Sequence, residues 1–256
     1  MIDRRRTGEW CHGLREHEDS LQRVSRARMT TIEAKSFDHI ALWVADRDRL
    51  ADFLCDHLGM HVIERSEDFT LVGVDAREGK LTLFAAEGPR EEDVLERVFL
   101  RVEDLEAAAA ALPEDVEPTR TDGRIEFEAP EGLGLGLVEA EGIDYDLDHA
   151  VLRVPATERA VAALDELGFE RRDGVLAVGD RHLELRGGGP GAVERPLLNH
   201  LALLVDSAAE AREEAERRGL EIDKVVDAEN TIAVFVRGPD GITVEYVEHK
   251  PTFSLS

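Results

Sequence analysis

FDHIALWV (residues 37–44), LDHAVLRV (147–154) and LNHLALLV (198–205) are three versions of one strand, each with a histidine as its third residue: His39, His149 and His200. A histidine repeated at one point of a repeated strand is a placement, and placed imidazoles are how proteins build metal sites. Aligning the closing valines, Val44, Val102, Val154 and Val205, adds a fourth copy, RVFLRV, in which Arg97 stands at the histidine position. The chain therefore reads as four related units, one of them altered at that point.

Downstream of each strand comes an amphipathic stretch that ends, in three copies, on a glycine suited to a left-handed helix cap: Gly59, Gly168 and Gly219. The second copy, EDLEAAAAALP, stops at Pro113, where the missing N–H forbids continuation. Short alternating runs follow each helix, such as FTLVGVD, GKLTLFAAE, RIEFEAPE, VLAVGD, RHLELRG, TIAVFVRG and ITVEYVE. Each unit is thus a strand, a helix and about three strands, which is an α+β half-barrel that needs a partner rather than a stacking repeat. PEGLGLGLVE (130–139) and PDGITVEYVE (239–248) match across the two halves. The expected organisation is an extension over 1–36, a domain of units one and two over 37–142, and a domain of units three and four over 143–250.

With 256 residues, 43% of them hydrophobic, the chain is long enough for two cores. A formal net charge of −25 repels a phosphate lattice, so neither nucleic acid nor an anionic membrane is expected as a partner. Only 4 of the 31 basic residues are lysine, which fits either a salt-adapted surface or a GC-rich genome. Cys11 and Cys55 form no CxxC, and Cys55 falls in the apolar register of LADFLCDHLGM, so a buried reduced thiol and a cytoplasmic location are expected. The arginine-rich first 36 residues hold no continuous apolar segment, so they are read as neither a signal peptide nor a membrane anchor. Met29 lies just before the first unit, and residues 1–28 are expected to be a flexible extension or the product of an upstream start. GGGPG at 187–191 is read as the linker between units three and four, and the charged helix SAAEAREEAERRGL as a solvated face.

Side chains alternate across a strand, so RHLELRG sets His182, Glu184 and Arg186 on one face, and ITVEYVE leaves Glu245 as a lone carboxylate among smaller residues. Two imidazoles and two carboxylates then stand at equivalent places in units three and four: His149 and His200 on first strands, Glu184 and Glu245 on last strands. Such a set suits a divalent ion such as Zn, Ni, Co, Mn or Fe(II). The first half keeps His39 alone, with Arg97, Gly136 and Thr82 or Leu83 at the matching positions, so the C-terminal half is expected to bind metal and His39 to be structural.

With NHLALLVD and GPDGITVEYVE, the chain resembles the vicinal oxygen chelate superfamily over residues 37–248. That superfamily includes glyoxalase I, bleomycin resistance proteins and extradiol ring-cleaving dioxygenases. The resemblance implies βαβββ units paired into two cupped half-open barrels, and a substrate that chelates a divalent ion through two neighbouring oxygens. Glyoxalase I implies His149, Glu184, His200 and Glu245 as ligands, with Glu184 or Glu245 as the base of a lyase or isomerase. The dioxygenases imply His149, His200 and Glu245 around Fe(II) with His182 as acid–base; at the position of their tyrosine this chain has Phe235. A third expectation is a non-catalytic binding or resistance protein. The expected partners are a small molecule with vicinal oxygens and, through exposed sheet edges, a second copy of the chain in a homodimer.

Overall fold

The computed structural model describes residues 32–74, 79–121, 123–143 and 145–253. Residues 1–28, Met29 and Cys11 lie outside the described residues. Unit one runs β1 (Ala34–Val44), α1 (Arg47–His57), β2 (His61–Arg65), β3 (Phe69–Gly73) and β4 (Lys80–Ala85). Unit two comprises β5 (Leu95–Val102), α2 (Leu105–Ala110), β6 (Thr119–Thr121), β7 (Arg124–Glu128), a 3-10 turn at Pro130–Gly132 and β8 (Gly134–Glu139). Unit three consists of β9 (Asp146–Val154), α3 (Thr157–Glu166), β10 (Glu170–Arg172), β11 (Val175–Val178) and β12 (Arg181–Gly187). Unit four has β13 (Leu198–Val205), α4 (Ala208–Arg218), β14 (Ile222–Asp227), β15 (Thr231–Arg237), a 3-10 turn at Pro239–Gly241 and β16 (Thr243–His249). The four βαβββ units expected from the strand repeat are all present.

Local chemistry explains the helix ends. Asp46 and Asp104 accept backbone N–H bonds at the starts of α1 and α2, and Ser207 does so for α4. Gly219 closes α4 at φ 71°, a left-handed conformation that a side chain would strain. Cys55 is a free thiol on α1, half-buried rather than buried, because the inward face of that helix is made by Leu50, Ala51, Phe53 and Leu54.

The pairing of units differs from the expected one. One eight-stranded sheet runs β14-β15-β16-β13-β1-β4-β3-β2 and the other β10-β11-β12-β9-β5-β8-β7-β6. Unit one therefore shares a sheet with unit four, and unit two with unit three. The connections account for this. The short link 140–145 keeps units two and three in one sheet, whereas the longer links 86–94 and 188–197 carry the chain across and back. Those two links brace each other: Glu91 N–H donates to the Arg195 carbonyl, and the buried Asp93 carboxylate accepts from Leu95 and Leu198 N–H. The division at residue 142 describes the sequence duplication, not the sheets.

Sequence neighbours still touch, through helices and turns. Glu131 in the first 3-10 turn accepts from Ala45 N–H at 2.7 Å, just before α1, and Asp240 in the second pairs with Arg159 on α3. Helices α1 and α4 pack on the first sheet, α2 and α3 on the second. On β1, Ile40, Leu42 and Val44 are fully buried while His39, Ala41 and Trp43 lie on the alternate face. Among the described residues no helix is long and apolar enough to cross a membrane.

Because each sheet takes one unit from each half, we expect fragments 32–142 and 143–253 expressed separately to lack a cooperative thermal transition, and their mixture to regain one. A sharp transition in either fragment alone would contradict the shared sheets.

Candidate metal centre

In the first sheet β1 and β13 run antiparallel, with Ala41 opposite His200 and His39 opposite Ala202; β16 lies parallel to β13 with Glu245 opposite Ala202. Cross-strand partners share a face. This register brings three side chains to one point: His39 Nε2 lies 3.1 Å from His200 Nε2 and 3.2 Å from Glu245 Oε2, and His200 Nε2 lies 2.7 Å from Glu245 Oε2. Three donors at metal–ligand distances of about 2.1 Å and right-angle spacing would sit about 3.0 Å apart, which is the pattern found. Glu245 Oε2 is buried and receives no well-directed hydrogen bond despite the two nearby nitrogens. A divalent cation at that point would satisfy all three atoms together.

Each imidazole is held from behind. Asp38 Oδ2 lies 3.3 Å from His39 Nδ1, and Asn199 Oδ1 3.0 Å from His200 Nδ1, leaving both Nε2 atoms for the shared point. Asp38 also accepts from Lys80 Nζ at 2.7 and 2.8 Å and lies 2.9 Å from His249 Nε2. Burial opposes ionisation of Asp38, but Lys80, His249 and His39 outweigh it and hold its carboxyl far below the usual range. Burial likewise opposes charge on Glu245, yet His200 and His39 bring its pKa down to about 2. Burial disfavours protonation of His39, but Asp38 and Glu245 raise it to about 9; for His200 burial dominates and lowers the value.

Rings wall this centre. Phe235 meets the His200 ring edge-on at 5.1 Å, Phe84 stands 6.1 Å from it on the other side, and Trp43 and Phe69 lie 5.5 and 5.9 Å from Phe84. The fourth equivalent strand position, opposite Ala41 on β4, is Thr82.

His149, Glu184 and His182 lie in the second sheet, so the structure does not bring them to His200 and Glu245; the pairing of units separates them. There His149 is opposite Phe99 and His182, and Glu184 is opposite Val151. The place matching His39 holds Arg97, whose guanidinium donates to the Phe127 and Leu135 carbonyls, and the place matching Thr82 is Gly136. The Phe99 ring fills the room above Gly136: a Cβ there would come within 2.2 Å of it. His149 is stacked between Phe99 at 4.3 Å and His182 at 4.6 Å, with interplanar angles of 10° and 12°. Asp148, His149 and His182 are close together, but in-plane lone pairs of parallel stacked rings do not converge on one ion, and Arg101 Nε holds Asp148 at 2.7 Å. Glu184 pairs with Arg124 at 3.3 Å and lies 3.6 Å from His149 Nε2, which is buried without a hydrogen-bond partner.

His39 is the residue that the sequence reading set aside. The signal was present, since FDHIALWV and LNHLALLV are near copies; the assumed pairing alone demoted it.

Comparison with known proteins agrees with this architecture. The family model Glyoxalase/Bleomycin resistance protein/Dioxygenase superfamily matches residues 36–132 and 146–246. The chain belongs to that superfamily. Among curated proteins none matches. Of solved structures, a putative dioxygenase from Bacillus subtilis subsp. subtilis str. 168 is 17% identical, with TM-score 0.73, over 86% of this chain and 87% of that one. Glyoxalase I from Zea mays is 18% identical, TM-score 0.66, covering 84% and 92%. The cppA protein from Streptococcus pneumoniae TIGR4 is 16% identical, TM-score 0.61, covering 86% and 100%. At these identities the likeness is one of fold.

Elemental analysis after reconstitution should therefore give about one divalent ion per wild-type chain, with loss in His39→Ala and His200→Ala and retention in His149→Ala. Retention in His39→Ala would place the ion elsewhere. Asp38→Ala strands the buried Lys80 ammonium and should cost about 3–5 kcal/mol in urea unfolding. Because the Asp38 carboxyl is held below its ordinary value, its contribution is present above about pH 4 and fades on acidification, so the acid loss of stability should be shallower in Asp38→Asn.

Proposed function

We propose that the protein is a metal-dependent enzyme of this superfamily, acting on a small flat molecule that presents two neighbouring oxygens to a divalent ion held by His39, His200 and Glu245. The observation that carries the reading is the convergence of those three donors within 3.2 Å of one another. Two imidazoles and one carboxylate with further positions open are the set that non-haem Fe(II) oxygenases use, so ring cleavage of a catechol-type substrate is the favoured reaction. A glyoxalase-type lyase or isomerase ranks below it, because the fourth position is Thr82 where a second carboxylate would stand.

Bound there, the ion would supply Lewis acidity and, as Fe(II), the redox capacity for reaction with dioxygen. The chain's own residues do the rest. Asp38 and Asn199 hold the two imidazoles in the orientation that presents Nε2. Phe84, Phe235, Trp43 and Phe69 give a flat ring faces to lie against and exclude water from the centre. Glu245, with its pKa brought down to about 2, stays ionised as a ligand and is a weak base. His182 stacks on His149 in the other sheet, so it does not serve this centre. The net charge of −25 supports a small-molecule partner over nucleic acid.

Anaerobic loading with Fe(II), addition of a catechol panel and admission of air should yield yellow ring-fission products and consume oxygen, both lost in His200→Ala. Turnover of a hemithioacetal without oxygen uptake would instead support the isomerase reading. Silence in both assays from protein carrying stoichiometric metal would leave a binding protein.

A further inference from the structure

One cation on the site face has no carboxylate of its own. The chain has four lysines, and three are paired: Lys35 with Asp206, Lys80 with Asp38, and Lys250 with Asp227. Lys224, on β14, has no carboxylate within ion-pair distance among the described residues, although the chain carries 56 acidic residues. The acids beside it are already engaged, Asp223 and Glu221 by Arg237 and Asp227 by Lys250. Its Nζ instead lies 4.4 Å from the centre of the Phe235 ring.

The register fixes which way this lysine faces. Lys224 is opposite Phe235, Phe235 opposite Glu245, Glu245 opposite Ala202, Ala202 opposite His39, and His39 opposite Lys80. One rung of the sheet thus runs from Lys224 through a metal-ligand carboxylate to a metal-ligand imidazole, all on one face. At about 4.8 Å per strand, Lys224 starts about 10 Å from Glu245, and its side chain lies over the ring that itself touches His200. A molecule chelated at the centre and lying along Phe235 would meet this ammonium at its far end.

We infer that Lys224 is a specificity-determining residue, and that the ligand of this site carries an acidic group, such as a carboxylate, in addition to its two neighbouring oxygens. The inference rests on the metal-site reading and deepens it from a small flat molecule to an anionic one. A cation without a carboxylate partner among the described residues, set at the rim of the centre, is a local attraction for such a group. Lys224 is exposed, so its pairing with a carboxylate is partly screened, and the Phe235 ring serves to hold the ammonium toward the centre.

The test uses the full chain, loaded with Fe(II) under strict exclusion of oxygen so that binding is read without turnover. Dissociation constants are measured by calorimetry for catechol and for 2,3- and 3,4-dihydroxybenzoate. Wild type should bind the better of the two acids about tenfold more tightly than catechol, the size of one partly screened ion pair. Lys224→Met should bring that ratio to about one, and Lys224→Arg should keep most of it, with metal stoichiometry equal in all three proteins. If wild type binds catechol but no acid more tightly, or if Lys224→Met keeps the preference, the inference fails while the metal centre stands. Binding of none of the three probes to metal-loaded wild type would overturn both.

Discussion

The antiparallel pairing of β1 with β13 is the constraint on which the rest of the molecule depends. It joins the first strand of the chain's first unit to that of its last. Antiparallel neighbours of the same sequence pattern are related by a local two-fold, so a histidine at the third position of each arrives from opposite ends of the pair. The offset of two residues between His39 and the partner of His200 then sets two rings on one face, edge toward edge. The last strand of unit four lies parallel to β13 and delivers Glu245 to the same point. A one-residue slip of β1 against β13 would turn His39 to the opposite face, away from His200 and Glu245.

Holding that geometry requires charge inside the sheet, and the charges are arranged to support one another. Asp38 and Lys80 are almost fully buried, which would be costly for either alone. Their pairing puts a stable carboxylate behind His39, and His249, stacked on Phe253 at 4.0 Å, closes the far side of the same carboxylate. The His39 imidazole is therefore part of a buried network anchored in β4 and β16. Such networks are sensitive to the loss of any member, because each remaining group keeps its desolvation cost.

Most of the fold was legible in the sequence because repeats are periodic. His39, His149 and His200 marked the first strands, Gly59, Gly168 and Gly219 marked the helix ends at positive φ, and alternating runs marked the remaining strands. That His200 and Glu245 belong to one cluster was legible on the same grounds, and the structure brings them within 2.7 Å. Pairing was not, because a half-barrel's exposed edge accepts any equivalent unit, and nothing in the β1 sequence states which. The discriminating physics lies in the connections: the short 140–145 link permits units two and three to stay together, while Asp93 and Arg195 tie the two crossing links. Strand similarity without connection length groups His149 with His200 and Glu245, whereas the structure brings His39, its equivalent by sequence, beside them.

The two sheets fill four equivalent positions in different ways. Equivalent positions hold His39, Thr82, His200 and Glu245 in one, and Arg97, Gly136, His149 and Glu184 in the other. Replacing an imidazole by a guanidinium removes a donor and adds a fixed positive charge, which by itself disfavours a cation. The second sheet goes further and fills the volume: Gly136 admits the Phe99 ring, His149 stacks on that ring, and Arg124 lies 5.2 Å above it while pairing with Glu184. The equivalent positions there are occupied by protein groups, although the buried His149 Nε2 has no hydrogen-bond partner and lies 3.6 Å from Glu184. In the first sheet the buried Glu245 oxygen also lacks a well-directed hydrogen bond, but there it converges with two Nε2 atoms within 3.2 Å, and since buried polar groups persist only where something compensates them, the first sheet is the one whose geometry suits a shared ligand.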